Sequence, residues 1–212
     1  MTARDRILSA IRNGLGPRRP DPETIAAEAA ALLADPQATR PPLAAPDLAE
    51  AFALKAMALG TTIDHVPDMA AVPAALRRYL ADHGLPGVAL QPAAELAALD
   101  WDGIATHTDI AADEAAGLGL ARWGIAESGS LVIHSGSDNP ILLSFLPLHH
   151  ILVLRRNDLL PHLEDYAAAM QGRAQPRNAI LITGPSGTTD IEGSYVRGAH
   201  GPGFLHVLLV GP

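Results

Sequence analysis

Residues 61–90, TTIDHVPDMAAVPAALRRYLADHGLPGVAL, decide the fold. Thr61 to Val66 is rich in β-branched residues and reads as a strand. Met69 to Asp82 reads as a helix stopped by Gly84, and Gly87 to Leu90 as a short buried strand. The alternation continues on both sides. A helix from about Asp47 to Leu59 precedes this unit and breaks at Gly60. A weak helix from Ala93 to Leu99, a strand at Ile104 to Thr106 and a helix from Ile110 to Ala116 follow it. Helices and strands alternating at this spacing predict an α/β fold, with a mainly parallel Rossmann-like sheet and helices on both faces.

The second half changes character. Ala121 to Glu127 and Ser130 to His134 are β-runs separated by Ser128-Gly129, which predicts a tight hairpin with Gly129 at positive φ. His149 to Leu154 reads as an apolar strand and Asp158 to Met170 as a helix. Ala179 to Thr183 and Phe204 to Val210 read as the last two strands. Upstream, Ile7, Leu8 and Ile11 mark a short helix stopped by Gly14 and Gly16, and Glu23 to Leu33 marks a second. Four prolines between Asp35 and Pro46 read as a linker. The expected organisation is an N-terminal helical arm with a Pro-rich linker over 1–46 and an α/β domain over 47–212.

Composition removes several chemistries. The 212 residues include no cysteine, so disulfides, a thiol nucleophile, cysteine-ligated zinc and a cluster held by this chain are excluded. The one lysine, Lys55, lies in AFALKAMALG with no glycine loop before it. That excludes a phosphate-loop or Schiff-base lysine. A net charge of −8 argues against nucleic acid. No run of 18 apolar residues is present for a membrane span, and MTARDRILSAIRNGLG lacks the apolar core of a signal peptide, so a cytoplasmic location is expected. Neither a GxGxxG fingerprint in a βαβ frame nor a GxSxG elbow occurs.

Three stretches carry candidate chemistry. Ile182 to Gly193 runs from a strand into a loop of glycine, proline and hydroxyl residues, then into a predicted helix start with Thr189 as N-cap and Glu192 closing a capping box. At the carboxyl end of a parallel strand such a loop offers backbone amides and hydroxyls to a ligand. Asp190 and Glu192 would repel a phosphate there. Glu127, just before a glycine turn, is either a solvated turn residue or a strand-end nucleophile or base. Seven of nine histidines follow residue 100. His149 and His150 begin a strand and face opposite ways, and His200 sits in a glycine-flanked turn suited to acid–base or ligand-orienting work. No spacing indicates a metal site.

GIAESGSLVI (124–133), SFLPLHHILVL (144–154) and ITGPSGTTDIEGSYVRGAHGPGFLHVLLV (182–210), in that order, resemble the LUD (lactate-utilisation) domain family, in particular its lactate-utilisation protein C type. The resemblance implies a sheet of the NagB/RpiA/CoA-transferase-like type and a part in oxidising L-lactate to pyruvate. It also implies a cofactor-free chain working beside iron–sulfur partner proteins. The family's turn maps onto Glu127, Ser128 and Gly129, its proline-then-histidine strand onto Pro147 and His150, and its loop onto Gly184, Pro185, Ser186, Thr188, Asp190 and Glu192. Its HGP turn maps onto His200, Gly201 and Pro202. Gly187 and Gly203 stand where many relatives look basic, with Arg122, Arg155 and Arg197 as other anion grips. The candidate set is Glu127 and His200 as catalytic groups. Ser128, Gly129, His150, Gly184, Ser186, Thr188, Thr189, Asp190 and Glu192 are the ligand-binding groups, and the ligand is a small organic acid or related small molecule. Two alternatives stay open: a stand-alone enzyme of the CoA-transferase or ligase class using Glu127, and a ligand-binding sensor or scaffold. Oligomeric state, including a homo-oligomer, is also open.

Overall fold

The computed structural model describes residues 2–15, 20–191 and 193–211. In chain order the helices are α1 (Ala3–Gly14), α2 (Pro22–Ala34), α3 (Leu48–Ala58), α4 (Val72–Asp82), α5 (Ala94–Ala97) and α6 (Leu163–Ala169). The strands of the main sheet are β1 (Thr62–Val66), β2 (Val88–Leu90), β3 (Thr106–His107), β4 (Ala116–Leu120), β7 (His149–Arg155) and β12 (Phe204–Val210). A second sheet holds β5 (Trp123–Ile125), β6 (Ser130–His134), β8 (Leu159–Leu160) and β9 (Ala179–Ile182). A two-stranded ribbon holds β10 (Gly187–Ile191) and β11 (Ser194–Arg197).

The main sheet has the order β1-β12-β7-β4-β2-β3, and its pairings are all parallel. A parallel sheet needs cover on both faces, which is why β7 and β12 are almost continuously apolar. On one face Ile151, Val153, Leu208 and Val210 pack with Val72, Leu76, Tyr79 and Leu80 of α4. On the other, Leu152, Leu154, Leu205, Val207 and Leu209 pack with Phe52 and Ala56 of α3 and with Leu131 and Ile133 of β6. Burying each such large side chain contributes roughly 1.5–3 kcal/mol. The second sheet, ordered β8-β5-β6-β9, thus has one face on this core. Its outer face buries Trp123, Ile125 and Val132 with Met170, against which Tyr166 of α6 packs.

The expected α/β architecture is present, with α4 and α3 on opposite faces of the parallel sheet. Four local expectations are corrected. Ile110 to Ala116 is not a helix: residues 110–115 form turns, and Ala116–Leu120 is the buried strand β4. The run AGLGL has no β-branched residue, but its glycines let neighbours close in. A Cβ on Gly117 would come within 2.7 Å of Pro147 and 2.8 Å of Leu143. The helix expected over 158–170 is confined to Leu163–Ala169, because Leu159–Leu160 pairs with β5 instead. No helix starts at Thr189. Thr188, Thr189 and Ile191 favour a strand, and β10 pairs antiparallel with β11. Glu192 itself lies outside the described residues. Lastly, β9, which feeds the 183–187 loop, belongs to the antiparallel second sheet and is not the carboxyl end of a parallel strand.

The chain divides into two compact units, Met1–Pro41 and Pro42–Pro212. In the first, α1 opens with a capping box: Asp5 N donates to Thr2 Oγ1 (3.2 Å) and Thr2 N to Asp5 Oδ2 (2.9 Å). Asp21 caps α2 by accepting from Thr24 N at 2.8 Å. Neither helix has a buried residue, and Ile7, Ile11, Leu32 and Leu33 are exposed.

Gly129 adopts φ +68° in the β5–β6 turn, as the hairpin reading requires, and Gly129 N donates to Ile125 O at 2.9 Å. A Cβ there would lie 2.7 Å from Ala56 Cα and 2.8 Å from the Lys55 carbonyl carbon. Gly129→Ala is therefore expected to cost roughly 3 kcal/mol, from backbone strain and overpacking against α3. Gly84→Ala, at φ +63° with open space around it, is expected to cost about 1 kcal/mol. Urea unfolding of both variants checks the difference.

Candidate functional site

The amino ends of β7 and β12 and the turns beside them enclose a cavity of about 320 Å³. Its walls include Phe145, Ile180, Leu181, Ile182 and Leu205, and its polar groups include Ser144, His150, Ser186 and His200. An apolar pocket with a few convergent polar groups is the usual form of a small-molecule site. No lysine or arginine is among its described lining residues.

Each polar group is placed by a local cause. His150 is the second residue of β7, so it faces the second sheet while His149 faces α4, as the strand alternation predicts. Gly184 turns the chain at φ +79°, where a Cβ would sit 2.9 Å from Leu59 O. Ser186 N then donates to Pro202 O (2.8 Å) and Gly198 N to Ser186 O (2.9 Å). These two bonds fasten the Gly184–Gly187 turn to the turn carrying His200. A Cβ on Gly201 would touch Ser186 at 3.2 Å, so the two turns are in close contact.

His150 is 1% exposed, and its Nδ1 has no hydrogen-bond partner among the described residues. Burial pushes its pKa down to about 4, so at neutral pH it is an uncharged imidazole. Buried polar atoms are nearly always satisfied, so an orphaned nitrogen in a residue that lines a cavity is a polar group left to pair. As a neutral ring, His150 can donate or accept there according to tautomer.

The sequence candidates divide into those that meet and those that do not. His150, Gly184, Ser186 and His200 come from separate stretches and line one cavity. Thr188, Thr189 and Asp190 lie on β10 in the adjoining ribbon. Glu127 is not among the lining residues, and its Oε1 accepts from Leu163 N (2.7 Å) in the first turn of α6. Ser128 Oγ bonds Ser130 Oγ (2.8 Å), which bonds Thr183 Oγ1 (2.7 Å), so the hairpin turn reaches the cavity rim through a hydroxyl chain. Gly129 holds α3, as above. Gly187 lies on the cavity wall with Tyr195 against it: a Cβ there would meet Tyr195 Cε2 at 2.6 Å. A Cβ on Gly203 would come 3.2 Å from Leu148.

Sequence reasoning missed Ser144 and Phe145, which reach the cavity from the turn before β7 and carry no motif signal of their own beyond their place in SFLPLHHILVL. It also missed a cluster on the opposite face of the sheet. There Tyr79 Oη bonds His149 Nδ1 (2.9 Å), Tyr79 stacks on His206 (centroids 4.3 Å) and His149 stacks on Phe204 (4.3 Å). Burial raises the Tyr79 hydroxyl to about 12, against the opposing pull of Arg197. Burial lowers His206 to about 4, with Asp64 opposing and His83 reinforcing.

Comparison with known proteins fits this architecture. A family model described as the LUD domain matches residues 80–210, more than half of the chain, and the chain belongs to that family. It is 35% identical over 115 residues to the uncharacterized protein YkgG of Escherichia coli, covering 51% of this chain and 50% of that protein. It is 32% identical over 105 residues to lactate utilization protein C of Anoxybacillus flavithermus, covering 48% and 47% respectively. To the protein of the same name from Oceanobacillus iheyensis it is 30% identical over 129 residues, covering 58% and 55%. The chain thus spans about half the length of the curated relatives it matches. Its fold resembles that of a DUF162 family protein from Deinococcus radiodurans, with a TM-score of 0.55 and 23% identity over 80% of this chain and 100% of that one.

His150 and His206 set a pH dependence. Both ordinarily titrate near 6.5 and are held near 4 when folded. Between those values the unfolded chain binds more protons than the folded one, so stability falls as pH drops through the window. Each histidine contributes up to roughly 3 kcal/mol to that loss. Urea unfolding at pH 7 and pH 4.5 is expected to show the drop, and His150→Gln to reduce it.

Proposed function

We propose that this chain is a lactate-utilisation protein that holds a small organic acid, L-lactate or pyruvate, in the cavity between the amino ends of β7 and β12 and the 184–187 and 200–202 turns. The observation that carries the reading is the convergence of His150, Ser186 and His200, from three separate stretches, on one small cavity, with His150 buried and its Nδ1 unpaired among the described residues. The names of the Anoxybacillus and Oceanobacillus relatives supply the substrate class. A neutral His150 suits the hydroxyl or keto oxygen of the acid. The Ser186 hydroxyl and exposed His200 suit its carboxylate, which stays near the rim where water screens it.

Converting L-lactate to pyruvate releases two electrons and two protons. With no cysteine, this sequence has no thiolate to ligate an iron–sulfur cluster. The electron acceptor on this reading resides in iron–sulfur partner proteins, and this chain binds and orients the acid. Glu127 is engaged with the α6 backbone, which favours this reading over a covalent carboxylate intermediate.

Thermal unfolding tests the binding step. A ligand present at about 100 times its Kd adds about 2.7 kcal/mol, a shift of several degrees for a chain of this size. L-Lactate or pyruvate is expected to raise the Tm, acetate to do so less, and His150→Ala to abolish the shift. No shift with either acid would contradict the proposal. With the partner proteins added, lactate-dependent dye reduction is expected to fall when this chain is omitted, and unchanged reduction would contradict the assigned role.

A further inference from the structure

The opposite end of the main sheet opens into a second, larger cleft of about 700 Å³. It lies outside the carboxyl ends of β2, β4 and β7, bounded by Gln91, Arg122 and Arg155 and closed by Trp123, His134 and Arg173. Strand topology places it there. The chain leaving β2 goes outward to the edge strand β3, whereas the chain leaving β4 goes inward to β7. Neighbouring strands whose connections part in this way leave a crevice at their carboxyl ends, where open parallel α/β sheets bind ligands. Gln91 Oε1 accepts from Leu120 N at 2.7 Å, tying the two diverging loops together at the base. The cleft is separated from the His150 cavity by the length of β7, roughly 17 Å from His150 to Arg155.

The charged groups are unevenly committed. Arg155 is paired with Glu95. Arg122 and Arg173 form no ion pair with a carboxylate among the described residues. Both instead lie by the Trp123 ring, with guanidinium carbons 5.1 and 5.7 Å from its centroid. One buried indole therefore has two exposed cations within 6 Å of its centroid at the cleft wall. His134, bonded to Tyr166 Oη at 3.0 Å, has its pKa lowered by burial and then by Arg122. Arg122 and Arg173 thus put two positive charges at this wall, although the chain as a whole carries −8. Planar guanidinium groups without a carboxylate partner are suited to grip an oxyanion through charge-assisted bonds. Asp138 and Asp158, also in the lining of the cleft, would accept hydrogen bonds from a ligand's hydroxyl groups.

We infer that this cleft is a second ligand site, taking an anionic metabolite larger than lactate whose phosphate or carboxylate groups are held by Arg122 and Arg173 and whose hydroxyl groups bond Asp138 and Asp158. This site does not depend on the reading of the His150 cavity. Two sites at opposite ends of one strand would let the protein hold two small molecules at once.

Isothermal titration at low salt with inorganic phosphate, pyrophosphate and citrate tests it. At least one probe is expected to bind in the submillimolar range. The double variant Arg122→Gln/Arg173→Gln is expected to weaken that binding by at least about tenfold. Both arginines are exposed, so the variant should keep the wild-type unfolding midpoint. His150→Ala should bind the probe as the wild type does, which separates this site from the other cavity. Tighter binding of the phosphates than of citrate assigns a phosphate ester, and the reverse assigns a polycarboxylate. Failure of all three probes to bind, or undiminished binding by the double variant, would overturn the inference.

Discussion

Strand β7 is paired on both edges, with β12 and β4, and covered on both faces. Its side chains alternate between two apolar cores, so a polar residue on it must find a partner or face an opening. His149 finds one in Tyr79, and Arg155 finds one in Glu95. The Nδ1 atom of His150 finds none among the described residues, and the residue lines the small cavity. The placement of both cavities follows from this strand: one opens where it begins, the other where it ends.

The two openings differ in electrostatic character. At the amino end the polar groups are hydroxyls and histidines set in apolar walls, and burial keeps His150 uncharged. At the carboxyl end arginines and carboxylates line an open cleft. With one lysine against fourteen arginines, anion recognition in this chain rests on guanidinium groups, hydroxyls and backbone amides. The arginines at the carboxyl end also have an aromatic ring to hold them. At the amino end Gly187 leaves its place to Tyr195. On the two proposals, the small cavity selects by shape and hydrogen bonding, and the cleft selects by charge.

Much of the fold was legible in the sequence because its strands carry strong local signals. β1 is rich in β-branched residues, β7 and β12 carry apolar runs (Ile151–Leu154 and Val207–Val210), and Gly129 marks its hairpin at positive φ. β4 was misread because AGLGL owes its strand to tertiary fit: the glycines admit Pro147 and Leu143, which no local pattern reveals. The Thr-x-x-Glu spacing after Thr189 matched a helix cap, but the β-branched residues around it pair with β11 instead. In the site, motif resemblance brought together His150, Gly184, Ser186 and His200, yet residue types alone could not show that Glu127 turns to the α6 backbone. The arginine cleft was illegible as a site, since Gln91, Arg122, Arg155 and Arg173 are scattered along the chain and meet only through the strand order.

The proposed role of His150 rests on its being a neutral, buried and unpaired group in the lining of the small cavity. Histidine ring-nitrogen resonances, followed by NMR from pH 7 to pH 4 with and without pyruvate, test that role. His150 is expected to stay uncharged until pH approaches about 4, and pyruvate to shift its Nδ1 resonance. Titration of His150 near the ordinary value of 6.5, with no response to pyruvate or lactate, would contradict it.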